Sequence, residues 1–156
     1  MNTLSLNQFL IEANQAGYAS GQEKEWQKEV DGSTSINFAK DNWEVHDNYF
    51  GGEPYGGRMI VFYKKQPVWM MIYYGWVVEG AEAEQVYKIL RSALKQMPDE
   101  APFRGPNELL EGDYAYRNIW SGGVERFSGE EQITEASKVI YQANYLGGLV
   151  DQKRGV

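Results

Sequence analysis

The chain has 156 residues, 42% hydrophobic and 24% charged, which suffices for one domain with a real core and disfavours disorder, collagen-like repeats and coiled coil. Fifteen Lys and Arg against 22 Asp and Glu leave a net charge of −7, so neither nucleic acid nor an anionic membrane is an expected direct partner. There is no cysteine, and His46 is the single histidine, which removes thiolate catalysis, disulfides and Cys- or His-rich metal centres.

In chain order, the first expected element is a helix. Ser5 and Gln8 read as a capping box, Leu6, Phe9, Leu10 and Ala13 recur at helical spacing, and Gly17 is the expected stop. The stretch Glu23 to Asp31 is charged and reads as an exposed connection ending in an Asp31-Gly32 turn. Alternation over Thr34 to Phe38 and again over Trp43 to His46 predicts a hairpin, and Met59 to Tyr63 with Val68 to Tyr74 predicts a second. Both faces of Val68 to Tyr74 are apolar or aromatic, the pattern of a central strand covered on both sides. A second helix is expected from Ala81 to Met97. The segment Pro98 to Pro106 holds three of the five prolines and divides the chain into halves of about 33–97 and 107–150. Further strands are expected at Tyr114 to Trp120, Glu131 to Glu135 and Lys138 to Tyr145. Together these predict a single α+β domain: an antiparallel, partly duplicated β-sheet with two main helices packed against it.

The duplication is read at a shift of 72, where Gly51 meets Gly123, Glu53 meets Glu125, Gly57 meets Gly129, Tyr73 meets Tyr145 and Gly75 meets Gly147 without a gap. Tyr55 with Phe127, Val61 with Ile133, Val68 with Ile140 and Trp69 with Tyr141 are conservative matches at the same shift. A small β-unit with one apolar face cannot bury that face alone, and pairing two such units makes a continuous sheet.

The chemical menu is short. Five Trp, 11 Tyr and 6 Phe serve first as strand and core residues. The functional reading is that Trp43, Tyr49, Trp69, Tyr73, Tyr141 and Tyr145 line a concave face for a small planar ligand, a sugar or a peptide. Arg104, on a rigid connection, is a candidate grip for a carboxylate or phosphate. His46 and Asp47 are neighbours in a strand and so point to opposite faces, which makes them a poor dyad, and Asp47 reads as a turn-stabilising carboxylate. The glycines from Gly51 to Gly57 lack the following helix start of a phosphate cradle. Of Glu130 and Glu131 only one can face inward, and a buried one needs a partner, for which Arg104 is one candidate. No serine triad and no two-His metal pattern is present, and no cofactor is implied.

The motifs Asp47-Asn48-Tyr49-Phe50-Gly51-Gly52, Pro67 to Gly75, Arg104-Gly105-Pro106, Phe127-Ser128-Gly129-Glu130-Glu131 and Tyr141 to Gly148 resemble those of an uncharacterised bacterial family. It is a domain of unknown function that also occurs fused behind helix-turn-helix regulators of the Xre type. The resemblance implies a sensing or relaying role and brings no catalytic residues. Met59 stands where a Glu is usual, and Leu146 where a His is expected.

The expectation is therefore a cytoplasmic ligand-binding or sensor-like domain, since the N-terminal run lacks the basic start and apolar core of a secretory signal. Its partner is a small molecule or a protein. One alternative is a hydrolase-like enzyme using Glu131, His46 and Arg104. Another is a module that forms a homodimer.

Overall fold

A computed structural model of the chain describes residues 2–22 and 26–151. Part of the charged connection read from the sequence, residues 23–25, lies outside them. The first helix, α1 (Thr3–Ala16), ends at Gly17 and is capped by Asn2, whose Oδ1 accepts the Leu4 amide at 2.8 Å. The cap expected at Ser5 thus falls one turn inside the helix; a side-chain cap of this kind contributes about 1 kcal/mol. A short 3-10 turn, Tyr18–Ser20, follows.

Nine strands then form one antiparallel sheet among the described residues. They are β1 (Gln27–Lys28), β2 (Thr34–Lys40), β3 (Trp43–Phe50), β4 (Tyr55–Tyr63), β5 (Gln66–Val77), β6 (Glu108–Glu111), β7 (Tyr114–Gly123), β8 (Arg126–Glu135) and β9 (Lys138–Leu149). Their spatial order is β1-β2-β3-β4-β5-β9-β8-β7-β6. Every neighbour is therefore a sequence neighbour except at the middle, where β5 meets β9. The second helix, α2 (Ala83–Leu94), lies between β5 and β6 in the chain and is shorter at both ends than its apolar stripe suggested. Strand β6 was not legible, because Leu109 is its one inward apolar residue in a stretch of only four.

Both helices lie on one face of the sheet. Leu6, Phe9, Leu10 and Ala13 of α1 pack with Val45, Val61, Trp69 and Met71; Val86, Ile89, Leu90, Ala93 and Leu94 of α2 pack with Tyr116, Ile133, Ile140 and Tyr141. The expectation that β5 is covered on both faces is corrected. Trp69 and Met71 are buried, whereas Ile72 and Tyr74 on the other face are 44% and 52% exposed. The apolar outward residues of β5 therefore serve neighbours along the sheet rather than a second layer.

The stretch 98–106 is not a surface linker. Ala101, Pro102, Phe103 and Gly105 are buried, and Phe103 stacks on Phe127 with centroids 3.9 Å apart. It passes between the two clusters and sets Arg104 near the centre of the molecule.

Three registers share one offset. The β4–β5 hairpin breaks register between Val61 and Phe62, and the β8–β9 hairpin between Ile133 and Thr134, 72 residues on. Where β5 meets β9, Tyr73 lies opposite Tyr145, again 72 apart. Gly57 and Gly129, also at that spacing, lie beneath these rings. A Cβ on Gly129 would come within 2.3 Å of the Tyr145 ring, and one on Gly57 within 2.7 Å of the Tyr73 hydroxyl. Only glycine lets each tyrosine cross its neighbouring strand.

Candidate functional site

The helix-covered face of the sheet carries polar groups at its centre. Asp47 sits mid-strand in β3 opposite Met59, points inward and is buried; the turn-stabilising role expected for it is corrected. The Tyr73 hydroxyl donates to its Oδ1 at 2.5 Å. The corresponding place in the second half is held by Asn118, which lies opposite Glu131 and accepts the Tyr145 hydroxyl at 2.7 Å.

Glu131 is the inward member of the Glu130-Glu131 pair, and its side chain is fully buried. Arg104 is its partner: Nε donates to Oε1 and Nη2 donates to Oε2 at 2.9 Å, the bidentate fork that suits a guanidinium. Backbone contacts hold the arginine in place, since the Gly105 amide donates to the Tyr116 hydroxyl at 3.1 Å and Asn118 Nδ2 donates to the Gly105 carbonyl at 2.8 Å. Burial pulls the guanidinium pKa down, but the charge and hydrogen bonds of Glu131 outweigh it and hold the group above its ordinary value.

Desolvation raises the Asp47 carboxyl to about 6, although the Tyr73 hydrogen bond and the Arg104 charge pull the other way. The hydroxyls of Tyr18, Tyr55, Tyr73 and Tyr141 are all raised, chiefly by burial. They remain protonated donors near neutrality. Tyr55 and Tyr141 share a hydrogen bond of 2.5 Å.

This polar centre opens into a cavity of about 360 Å³ between the sheet, the 3-10 turn and α2, whose lining includes Tyr18, Trp26, Tyr49, Tyr55, Tyr73 and Tyr87. Leu90 forms its apolar floor, and Lys28, Asp47, Arg91 and Arg104 are its charged members. Gly51 and Gly52 edge the mouth. Their loop is tied to α2 by Tyr87, whose hydroxyl donates to a Glu53 carboxylate oxygen and lies 3.1 Å from the Gly52 carbonyl. The other Glu53 oxygen accepts the Val77 amide, fixing the loop to β5.

Among the residues expected to bind ligand, Tyr49, Tyr73 and Arg104 meet in this cavity. Trp43 does not: it stacks on Phe9 beneath α1. Trp69 is fully buried, stacks on Phe127 and donates its indole N–H to the Val124 carbonyl at 2.9 Å. Tyr141 and Tyr145 are also buried, the first behind Tyr55 and the second on Asn118. A single open concave face lined by all six rings is thus corrected, because the helices close most of it.

The proposed meeting of Glu131, His46 and Arg104 is corrected as well. Glu131 and Arg104 pair, but His46 lies on the opposite face of the sheet, 54% exposed, beside Phe62 and Glu44. Period-two alternation makes that separation unavoidable once Asp47 faces inward.

Sequence reasoning missed Tyr18, Trp26, Tyr55, Tyr87 and Arg91. A signal existed for two of them: Tyr87 and Arg91 are four residues apart on α2 and flank its apolar stripe, so their tips reach the same edge. Tyr18 and Trp26 sit outside regular helix and strand and carry no periodicity to read.

Among the described residues no cluster of His, Asp and Glu is arranged to hold a metal ion. No described helix is long and apolar enough to cross a membrane. No curated protein and no solved structure matches the chain. A family model, described as a domain of unknown function (DUF5680), does match residues 47–150. Because that span holds most of the sheet, all of α2 and the Arg104 connection, the chain belongs to this family.

Proposed function

We propose that the protein is a cytoplasmic ligand-binding, sensor-like domain whose cavity takes one metabolite-sized molecule. The observation that carries the reading is the cavity itself: aromatic walls, convergent polar tips and a buried ion pair at its base. At about 360 Å³ it lies at the small end of ligand sites, which run from about 300 to 1,000 Å³. Matching register breaks and the paired Tyr73–Asp47 and Tyr145–Asn118 contacts support a duplicated origin for the sheet, with the cavity on the Tyr73 side, closed by Tyr18 and Trp26 from ahead of the first half and by Arg104 from the connection. The resemblance to a bacterial family that also occurs fused behind helix-turn-helix regulators of the Xre type supports a relay to a DNA-binding partner, and the net charge of −7 disfavours DNA contact by this chain itself.

Gly52 offers a direct test, because a Cβ placed there meets nothing within 4 Å and its backbone is not left-handed. Gly52→Trp is expected to fill the mouth, weakening hits from a metabolite library at least about tenfold by ligand-observed NMR while Tm stays within about 2 °C. Hits that bind the variant as well as the parent place the ligand elsewhere.

A second reading, homodimerisation, draws on the outer face of the sheet. There Ile72 and Leu146 are cross-strand neighbours, 44% and 54% exposed, with Tyr74 beside them. An apolar centre of this kind is a common mark of association. Sedimentation equilibrium at micromolar to 100 μM concentration, on the order of weak-dimer affinities, is expected to show self-association that Leu146→Lys abolishes. A monomer throughout removes this reading.

A further inference from the structure

Resting on the cavity as a binding site, we infer that its ligand is a small aromatic anion, a flat ring bearing a carboxylate or a phosphate. The charge of the lining sets the sign. Lys28, Arg91 and Arg104 line the cavity with one carboxylate, Asp47, and with the Glu131 that pairs Arg104 also counted the three cations still outnumber the two carboxylates, within a chain whose overall charge is −7. A cluster of cations enclosed by low-dielectric walls focuses its potential on whatever enters.

The three cations are not equally engaged. Arg104 gives Nε and Nη2 to Glu131 and keeps Nη1 out of that pair. The Lys28 ammonium donates to the Thr34 hydroxyl at 2.6 Å. Among the described residues no carboxylate lies within ion-pair distance of Lys28 or Arg91. Arg91 is half-buried on the last turn of α2, four residues after Tyr87. A half-buried guanidinium facing a cavity has a strong need for an anionic partner.

The neutral donors agree with this sign. The Tyr18 hydroxyl, held protonated by burial, lies within the field of Arg91 and has a proton to donate to an anion bound there. A sugar carries a ring of hydroxyls that both donate and accept, whereas the lining has one carboxylate and no Asn or Gln to accept from them. What it has in abundance is aromatic surface, from Trp26, Tyr49, Tyr55 and Tyr73, which suits a planar ring.

The test compares charged ligands with their neutral twins on the intact protein: 4-hydroxybenzoate against 4-hydroxybenzamide, and adenosine monophosphate against adenosine. Calorimetry is expected to show the anion of at least one pair binding tenfold or more tightly than its twin, and the pair that does so distinguishes a carboxylate ligand from a phosphate. Arg91→Gln is expected to erase that advantage, cutting the anion's affinity by a larger factor than its neutral twin's. Equal binding of twins in both pairs overturns the anion and leaves the cavity reading standing. Failure of all four to shift the NMR signals of Trp26 and the lining tyrosines overturns both.

Discussion

Replacing Arg104 by methionine is expected to cost about 3–5 kcal/mol of folding stability at neutral pH, the range seen when one partner of a buried ion pair is removed. Glu131 is the reason. Its side chain has no exposure, and both its oxygens are met by the one guanidinium. Without that partner the carboxylate has no solvent to turn to, since Ala143 and Asn118 flank it on the neighbouring strands. The double variant Arg104→Met with Glu131→Leu is expected to recover most of the loss, because a buried ion pair is often matched in stability by apolar groups of similar volume. Urea unfolding of the parent, both single variants and the double variant measures the coupling directly. A single Arg104→Met variant within about 1 kcal/mol of the parent would contradict a charged, dry Glu131. Recovery of stability in the double variant without recovery of ligand binding would separate the two tasks of Arg104, holding the sheet together and lining the cavity.

That pair also marks how far the chain could be read without coordinates. The alternation of Glu130 and Glu131 required one inward carboxylate, and Arg104 was a possible partner; physical necessity made the pairing visible even though nothing local connects residues 27 apart. Most of the strands and the first two hairpins followed from period-two patterning; the shift of 72 matched Tyr73 with Tyr145 as equivalent positions, and it took the fold to put them opposite each other where β5 meets β9. What the pattern left open was which face the helices cover. Trp69 and Tyr141 have the same alternation whether they line a recess or fill a core, and only the position of α1 and α2 decides it. His46 and Asp47 show the opposite case. Their adjacency fixed their divergence, and only the assignment of the inner face was needed to place His46 on the outside. The cavity was least legible of all, because Tyr18 and Trp26 reach it from segments with no periodic signal, and their ring contact, with centroids 5.5 Å apart, is a tertiary fact.

Asp47 and Asn118 each accept a hydrogen bond from one of two tyrosines that lie opposite each other, the first as a carboxylate and the second as a neutral amide. The difference predicts a pH dependence. Burial raises the Asp47 carboxyl from 3.8 to about 6 in the folded state, so between those values the folded protein holds a proton that the unfolded chain has released. Stability from this group is full below about pH 4 and is lost as the pH rises through about 6. The loss amounts to about 3 kcal/mol at about 1.4 kcal/mol for each pH unit between the two values. Asparagine keeps an oxygen for the Tyr73 hydroxyl and does not titrate. Asp47→Asn is therefore expected to match the parent near pH 4 and to exceed it by about 2–3 kcal/mol at pH 8, the rise falling mainly between pH 4 and 6. Taking the difference between the two proteins at each pH removes the contribution of every other carboxylate they share. A difference that stays flat across the range would mean that water in the cavity solvates Asp47 and that its pKa is ordinary. If the difference does rise, the parent keeps an ionised group at a net cost to its fold on the wall of the cavity, where a neutral residue would serve the sheet better. Such a trade is characteristic of a residue retained for what it binds, and it gives Asp47→Asn a second expected effect: weaker binding of any ligand that donates a hydrogen bond to the Asp47 carboxylate, despite the more stable protein.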